Sequence, residues 1–396
     1  MSMLEQFKEY TSPVLGRYFE DFEVASGKGC YLYGTDGKEY LDFASGIATC
    51  STGHCHPKVV KAAIEQTKKL IHTCIGIALY EPYGSLGKEI RSISPIPNSQ
   101  IFACQSGTEA VESALKLVKY ATKKPGIIAF EGSFHGRTLG ALSVTTSKMK
   151  YRDGYEPLLP EVYISPLDLS SVEKIIKEHQ IGGIIFEPVM GEGGYKVISP
   201  IFLQGLRKLC DNNDVLLIAD EVQSGVGRCG KWFAFEHAGI VPDVITLAKG
   251  IASGFPLGLC VAGRELMAKW SKGAHGSTFG GNPVSCSAAI ATINVIKEKS
   301  LLEQTEKLGN YLIKQLKKLQ KKYSQIKEVR GLGLMVGVDF CDNAIVKKIM
   351  NFCLENGLVL ISTGGDGTVI RFVPPLIVKK PQIDKALEIF EEALTK

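Results

Sequence analysis

The chain has 396 residues, of which 45% are hydrophobic and 22% are charged. This composition excludes a disordered or low-complexity protein, and the length favours two domains, because single hydrophobic cores rarely grow beyond roughly 300 residues. The net charge of +5 comes from scattered lysines and arginines, which argues against a nucleic-acid partner.

The N-terminal residues and the cysteines bear on location. The opening sequence, MSMLEQFKEYTSP, lacks the apolar segment of a signal peptide, and no run approaches the ~18 apolar residues of a membrane span. The eleven cysteines include no CxxC pair and no zinc-ligand spacing, so no metal site is expected. We therefore predict free thiols in a reducing, cytoplasmic environment and no membrane partner.

Short apolar runs alternate with amphipathic segments through the middle of the chain, a pattern typical of a mainly parallel α/β sheet. The predicted helices cover residues 109–122, 170–180 and 200–212, and the predicted strands cover 127–130, 183–186, 215–219, 244–248 and 259–262. A long helical stretch over about 284–322 follows, and the remaining chain then reads as a smaller α+β unit.

The stretch VLLIADEVQSGVGRCGKW allows three interpretations. Its strand ends in acidic residues and is followed by GxxxxGK, as in a P-loop ATPase, but Trp232 stands where Ser or Thr would hold magnesium. Its glycines also spell GxGxxG, yet five residues separate them from the strand, which argues against a dinucleotide site. The third interpretation concerns the carboxylate at the strand end itself.

Polar residues follow three of the predicted strands. Glu187, Asp220 and Lys249 each come directly after an apolar run, and ligands of open α/β sheets bind at such strand ends. A lysine there could lay its stem along the sheet edge with the amine in water. Alternatively, its amine forms a Schiff base with pyridoxal phosphate, whose pyridinium nitrogen would pair with an aspartate.

The sequence QSGTEAVESALK offers a seat for the phosphate of such a cofactor. Ser106, Gly107 and Thr108 precede an amphipathic helix, whose free backbone N–H groups attract anions. The alternative is ordinary helix capping, since Ser106 and Glu109 have the spacing of a capping box.

Three further residues could contact the cofactor ring or bind substrate carboxylates. Phe134, beside His135 in EGSFHGRT, could cover the cofactor ring or belong to the core. Arg137, in a glycine-flanked loop, and Arg371, among apolar residues, are candidates for binding carboxylates in pairs of hydrogen bonds.

Taken together, these residues resemble the class III, or ω-amino-acid, aminotransferases of pyridoxal-phosphate fold type I. The resemblance runs from about residue 27 to residue 390. The matching blocks are GKGCYLYGTDGKEYLDFASGIA, TGHCHPKVV, SGTEA, SFHGRTLGALS, FEPVMGEGG, LLIADEVQSGVGRCGKWFAFEH, PDVITLAKG, GFPLG, HGSTFGGNP and VIRFVPPL. It implies an N-terminal segment over 1–55 that packs with the small domain, a large cofactor-binding domain with a mainly parallel sheet over 56–300, and a smaller α+β domain over 301–396.

The resemblance implies a role for each cofactor residue. Lys249 would form the Schiff base and move protons, Asp220 would bind the pyridine nitrogen, and Gln223 would approach the phenolic oxygen. Phe134 would stack on the ring, and its neighbour His135 would also belong to the cofactor-binding residues.

The phosphate would be held from two subunits. Ser106, Gly107 and Thr108 would bind it within one subunit, whereas Thr278 would reach the phosphate of the neighbouring one. The resemblance therefore implies a homodimer with shared active sites.

The resemblance also implies how two unlike substrates are bound. Arg137 would bind the distal carboxylate, while Arg371 would bind the α-carboxylate of 2-oxoglutarate but pair with Glu192 when an ω-amino donor is present. Ile47 stands where ornithine enzymes carry tyrosine, so ornithine is disfavoured.

The donor is open among three interpretations, because the residues before Gly27 and around Cys50 depart from the family pattern. The sequence HTCIGIALYEPY resembles the 4-aminobutyrate branch of the family and favours that donor, which would yield glutamate and a semialdehyde. N-acetylornithine is the first alternative, and a racemase or epimerase of the same family is the second.

Overall fold

A computed structural model describes residues 2–396 of the chain. Its largest feature is a seven-stranded sheet in the order β4-β12-β11-β10-β7-β5-β6. The strands are β1 Val24–Lys28, β2 Tyr31–Gly34, β3 Glu39–Asp42, β4 Ser99–Cys104, β5 Gly126–Phe130, β6 Val162–Ser165, β7 Ile181–Phe186, β8 Val189–Met190, β9 Lys196–Val197, β10 Leu216–Asp220, β11 Val244–Leu247, β12 Gly258–Gly263, β13 Ile326–Leu332, β14 Met335–Phe340, β15 Leu358–Val359, β16 Ile361–Thr363 and β17 Val369–Phe372.

Helices flank the sheets and connect most of their strands. They are α1 Met3–Tyr10, α2 Ser45–Ala48, α3 Pro57–Lys69, α4 Glu81–Ile93, α5 Gly107–Thr122, α6 Leu139–Ser143, α7 Leu169–Glu178, α8 Pro200–Asn212, α9 Arg264–Met267, α10 Pro283–Glu298, α11 Leu301–Lys322, α12 Asn343–Glu355 and α13 Lys380–Ala393.

The large sheet is parallel through β6, β5, β7, β10 and β11, and β12 runs antiparallel to both of its neighbours. Its central strands are almost entirely buried, which explains their unbroken apolar sequences. All five predicted strands and the three predicted helices are present, with ends shifted by at most two residues. The predicted α/β fold class is confirmed.

The predicted helical stretch over 284–322 was wrong in one respect, because it consists of two helices. Helix α10 ends at Glu298 and helix α11 begins at Leu301. Ser300, between them, has a φ of 47°, a left-handed conformation that interrupts the helical backbone. The apolar pattern continues through this break, so the sequence alone did not reveal it.

Three smaller sheets lie outside the large one, and the smallest is the antiparallel pair of β8 and β9. Strands β13, β14, β17 and β16 form an antiparallel sheet near the C-terminus. Strand β15 instead pairs in parallel with β3 and extends the N-terminal sheet. The N-terminal strands are thus hydrogen-bonded to the C-terminal part of the chain, while the domain limits 1–55, 56–300 and 301–396 stay a prediction.

In the part of the chain that the structure describes, no helix combines the length and the apolar character needed to cross a membrane.

Candidate active site

The carboxyl ends of three neighbouring parallel strands open into one cavity of about 600 Å³. Strand β7 leads into Glu187, β10 ends at Asp220, and β11 is followed by Lys249. All three side chains line the cavity, as the positions of their strands predicted.

Lys249 is the first residue of a short 3-10 turn after β11 and has a φ of 46°. The side chain keeps part of its surface accessible within the cavity. Desolvation by the surrounding protein lowers the pKa of the Lys249 amine, and the carboxylates of Asp220, Glu192 and Glu187 oppose that shift. The amine is therefore more easily deprotonated than an exposed lysine, as nucleophilic catalysis requires.

Asp220 is held by three donors and is only 4% exposed. Its Oδ1 accepts hydrogen bonds from the Val222 N–H at 3.0 Å and the Thr246 hydroxyl at 3.1 Å. Its Oδ2 lies 2.7 Å from Nδ1 of the buried His135. His135, which the sequence grouped with the cofactor residues, thus lines the cavity and also fixes the orientation of the aspartate.

Glu187 is a site residue that the sequence placed at the rim without assigning it a role. Its carboxylate accepts hydrogen bonds from the Phe134 N–H at 2.8 Å and the Gly191 N–H at 2.9 Å. Burial raises the pKa of Glu187 to about 7, with His135 lowering it and Asp220 raising it further. Glu187 therefore ties together the two loops that carry Phe134 and Glu192.

Ser106 performs the capping function that was considered as the alternative. It is the N-cap of α5, where its hydroxyl accepts from the Glu109 N–H at 3.4 Å and contacts the Glu109 carboxylate at 2.7 Å. Ser106 still lines the cavity, so the capped helix presents its N-terminus there. The partial positive charge of that terminus favours a phosphate.

Gly107 and Thr108 form the first turn of α5 and line the same wall. A Cβ on Gly107 would lie 2.7 Å from Cγ1 of Val222, so a side chain there would clash. The Thr108 hydroxyl lies 2.8 Å from the hydroxyl of Thr138. A phosphate could thus approach the backbone N–H groups at Gly107 and the hydroxyl of Thr108.

Phe134 contributes an aromatic ring to the cavity wall. This ring packs edge to face against that of Tyr151, with centroids 5.7 Å apart. The exposed Arg137 places its guanidinium 4.5 Å from the Tyr151 centroid. A cation stacked on an aromatic ring is restrained but still free to bind an anion through its N–H groups.

Arg371 lies fully buried on β17 and has three partners. One amino group donates to Glu192 Oε1 at 2.7 Å, and the other donates to the Tyr18 hydroxyl at 2.6 Å and the Ser362 carbonyl at 2.7 Å. Burial alone would raise the pKa of Glu192, but Arg371, Lys148 and Lys249 together lower that pKa below its usual value. The ion pair lies beside the cavity, because Gly191, the residue before Glu192, packs against Gln223 and donates its N–H to Glu187, and both of these residues line the cavity.

Tyr18 was missed by the sequence interpretation. It belongs to the segment before Gly27, which carries no periodic pattern, and 353 residues separate it from Arg371. No signal in the sequence would have connected these two side chains.

The remaining predicted residues fall in different places. Gln223 lines the cavity, and its buried Oε1 has no hydrogen-bond partner among residues 2–396. Ile47 is 37% exposed in the short helix α2, two residues before Thr49, which does line the cavity. Thr278 lies on an exposed loop and is not part of the cavity wall.

The glycines at 225–230 do not contribute to the cavity. They surround the buried Arg228, whose guanidinium donates to the Leu334 carbonyl at 3.2 Å. Their place in the core argues against both the ATPase and the dinucleotide interpretations.

The cavity fits pyridoxal phosphate. It combines a lysine amine, a fixed carboxylate, an aromatic face and a helix N-terminus suited to phosphate. The unpartnered Gln223 Oε1 is a buried polar atom available to a ligand. These are the groups that the cofactor's aldehyde, ring nitrogen, ring face, phosphate and ring substituents require.

Comparison with known proteins agrees with this geometry. The sequence model of the class III aminotransferases matches residues 17–394. The acetylornithine aminotransferase of Methanocaldococcus jannaschii is 43% identical over 98% of this chain and 96% of its own length. The 5-aminovalerate aminotransferase of Pseudomonas aeruginosa is 40% identical over 91% of this chain and 90% of its own.

The solved structure of the ornithine aminotransferase from Toxoplasma gondii ME49 is similar throughout. It is 28% identical, has a TM-score of 0.93, and is matched over 100% of this chain and 96% of that chain. A second structure of the Toxoplasma gondii enzyme, with a TM-score of 0.92 and 28% identity over 98% of this chain and 93% of that chain, contains pyridoxal phosphate at partial occupancy in its active site. This protein is therefore a class III aminotransferase with pyridoxal phosphate as its cofactor.

Proposed function

We propose that the protein transfers the ω-amino group of N2-acetyl-L-ornithine to 2-oxoglutarate, which yields L-glutamate and a semialdehyde. The observation that carries this proposal is the cavity lined by both Lys249 and Asp220, with the Arg371–Glu192 ion pair close to it. Similarity to acetylornithine aminotransferases, at 43% and 41% identity, supports this choice of donor.

Lys249 is the group that would move the proton. When bound, pyridoxal phosphate supplies an electron sink for the negative charge left on the donor carbon as it loses its proton. The Lys249 amine, with its lowered pKa, can accept that proton and return it to a neighbouring atom. Asp220, held by His135 and Thr246, places a fixed negative charge for the ring nitrogen.

The Arg371–Glu192 pair would discriminate between the two substrates. An ω-amino donor has no carboxylate at its reacting carbon, so Arg371 stays paired with Glu192 at 2.7 Å. The carboxylate of 2-oxoglutarate lies next to its reacting carbonyl, and there Arg371 would exchange Glu192 for the substrate. Arg137, exposed at the aromatic wall, would bind the distal carboxylate of both substrates.

A homodimer is part of the same proposal. Several large apolar side chains are exposed close to the Thr278 loop, among them Ile77 at 82%, Leu79 at 91% and Phe279 at 59%. Phe279 contacts the ring of His72, with centroids 5.1 Å apart, so both segments share one surface. A second copy covering this apolar surface would bring Thr278 toward the partner's phosphate.

A cytoplasmic location also belongs to the proposal. All eleven cysteines are free thiols, of which seven are buried, two are partly buried and two are exposed. This is the pattern expected in a reducing compartment.

A shorter ω-amino acid is the second candidate donor. The 40% identity to a 5-aminovalerate aminotransferase favours it, as does the sequence HTCIGIALYEPY, on which the 4-aminobutyrate prediction rests. That prediction remains open beside the acetylornithine proposal.

A panel of donors separates the candidates. Purified protein with pyridoxal phosphate and 2-oxoglutarate would be given N2-acetyl-L-ornithine, 4-aminobutyrate, 5-aminovalerate or L-ornithine, and L-glutamate would be quantified. We expect the highest kcat/KM with N2-acetyl-L-ornithine, whereas a higher value with either short amino acid would reassign the donor. Formation of a D-amino acid from an L-amino acid without any oxo acid would support the racemase alternative.

A further inference from the structure

In the proposed exchange, the largely buried carboxylate of Glu192 loses its counter-charge. Its side chain is only 13% exposed, and Arg371 neutralises it through one hydrogen-bonded oxygen. When a substrate carboxylate takes Arg371, Glu192 loses this partner, and a largely buried carboxylate without a partner is strongly destabilised. A second cation within reach of Glu192 would remove this penalty.

The two sides of the exchange differ in mobility. Arg371 stays anchored by Tyr18 and Ser362 through the amino group that does not contact Glu192. The backbone of Glu192 is held by the Gly364 N–H, which donates to its carbonyl at 3.2 Å. The Glu192 side chain is therefore the part that moves, and its next partner must lie within side-chain reach of a fixed backbone.

Lys148 meets this requirement. It is half-buried directly before the turn at Met149–Tyr151, and its Nζ lies 6.0 Å from the centroid of the Tyr151 ring. The Gly364–Gly365 loop brings Lys148 and Glu192 together, because the Gly364 N–H donates to the Glu192 carbonyl and a Cβ on Gly365 would lie 3.7 Å from the carbonyl of Ser147, the residue before Lys148. Besides Arg371, the cations whose charge lowers the pKa of Glu192 are Lys148 and Lys249. Lys249 is committed to the cofactor, which leaves Lys148.

The charges around Lys148 also favour it as a partner for Glu192. Burial lowers the pKa of Lys148, and so do the nearby cations Lys150, Arg371 and Arg137, whereas Glu192 is the acid that opposes the shift. With Glu192 already paired, Lys148 is a partly buried cation in a region of excess positive charge. Such a cation is stabilised by any carboxylate that turns toward it.

We propose that Lys148 is the alternate partner of Glu192, receiving its carboxylate when Arg371 binds the α-carboxylate of the oxo acid. Lys148 is a positioning residue in this scheme, because it acts through Glu192. The inference rests on the proposed function, since it assigns Lys148 to the half of the reaction that involves 2-oxoglutarate and L-glutamate.

The test compares Lys148→Met with Lys150→Met in the holoenzyme. Lys150 is a suitable control, because it is exposed and its Nζ also lies close to the Tyr151 ring, at 5.8 Å. Each half-reaction would be followed separately, with L-glutamate in one and N2-acetyl-L-ornithine in the other. Calorimetric titration with glutarate, an unreactive dicarboxylate, provides a readout that does not depend on turnover.

We expect Lys148→Met to weaken both L-glutamate and glutarate binding roughly tenfold while leaving the N2-acetyl-L-ornithine half-reaction within about twofold. Lys150→Met should leave both half-reactions within about twofold. Adding Lys148→Met to Glu192→Gln should cause no further loss, because a neutral side chain needs no second cation.

Three results would overturn the inference. An equal loss in both half-reactions would mean that Lys148 binds the carboxylate shared by the two substrates. No loss with glutarate would mean that Glu192 needs no second partner, and a full tenfold loss in the Glu192→Gln background would show that Lys148 acts independently of Glu192. Failure of the wild-type protein to react with either amine would instead contradict the proposed function, and the glutarate titration would still test Lys148.

Discussion

The two ends of the cavity are built in different ways. The cofactor end, formed by Lys249, Asp220, His135 and Glu187 with the N-terminus of α5, lies on strand ends and their first connecting residues. The end that we propose for the substrates consists of Arg137 in the cavity wall and of Arg371, Glu192 and Tyr18 beside the cavity, which come from three loops and one strand in distant parts of the chain.

The two ends also differ in how hydrogen bonds hold their charged side chains. At the cofactor end, both oxygens of Asp220 and both oxygens of Glu187 are occupied by protein donors, so these carboxylates have one orientation. At the substrate end, Arg371 keeps two fixed partners and one that can be exchanged. A constant chemical step needs a rigid frame, whereas two unlike substrates need a reversible ion pair.

The largest effect should come from removing the amine at the cofactor end. Lys249→Ala should lower glutamate release by more than about 10³-fold with every donor, because proton transfer loses its base and acid. The melting temperature, followed by circular dichroism, should change little, since alanine tolerates the left-handed φ of 46° no worse than lysine does. Retention of a tenth of the activity would contradict the role of Lys249.

A smaller loss is expected from loosening the Asp220 carboxylate. His135→Leu removes a buried donor to Asp220 and should lower kcat/KM roughly 10- to 100-fold in both half-reactions, as expected for a hydrogen bond to a charged group. Thr246→Val removes a neutral donor to Oδ1 of Asp220 and should lower kcat/KM less than His135→Leu does. An effect of His135→Leu on only one half-reaction would show that the cofactor end is not shared.

The substrate end should respond asymmetrically. Glu192→Gln leaves the buried Arg371 without its counter-charge, so reaction with an ω-amino donor should slow about tenfold, while reaction with L-glutamate should not slow. Stopped-flow measurement of the separate half-reactions checks this. Equal slowing of both would rule out an exchange between Glu192 and the substrate.

The smallest effect concerns the segment that carries Ile47 and Thr49. Asp42 accepts a hydrogen bond from the backbone at the start of this segment, and His54 holds the Asp42 carboxylate through a 2.7 Å contact. Although burial alone would lower the pKa of His54, hydrogen bonds to Asp42 and Cys50 raise it to about 10. A raised pKa in the folded state stabilises the fold fully below about pH 6.5, and this contribution is lost as the pH rises toward 10.

His54→Gln should therefore destabilise the protein by about 1–2 kcal/mol at pH 6 and by less at pH 10. Urea unfolding of both proteins at the two pH values measures this difference. An equal difference at both values would show that the charge on His54 does not contribute.

The cofactor end was largely predictable because a buried strand has a simple signature. The runs before Glu187 and Asp220 are apolar throughout, and only Thr246 interrupts the run before Lys249. Parallel strands bring their carboxyl ends to one edge. Ser106 illustrates a limit, since capping and ligand binding use the same residue types. The structure assigns its hydroxyl to Glu109 and leaves the helix N-terminus for the ligand.

The substrate end was less predictable, because its contacts join segments without a shared pattern. Tyr18 reaches Arg371 across 353 residues, and a side chain in an irregular loop carries no periodic signal. Arg371 was noticed only because arginine is unusual within an apolar strand. The break at Ser300 was missed for a related reason, since a single left-handed residue does not disturb the apolar pattern.

The central claim is that Lys249 is the lysine that carries the cofactor, and chemical trapping tests it most directly. The holoenzyme would be reduced with borohydride, digested, and mapped by mass spectrometry for peptides that carry the pyridoxyl phosphate group. We predict the added mass on Lys249 alone. Modification of a different lysine, or of none, would contradict the proposed role of Lys249.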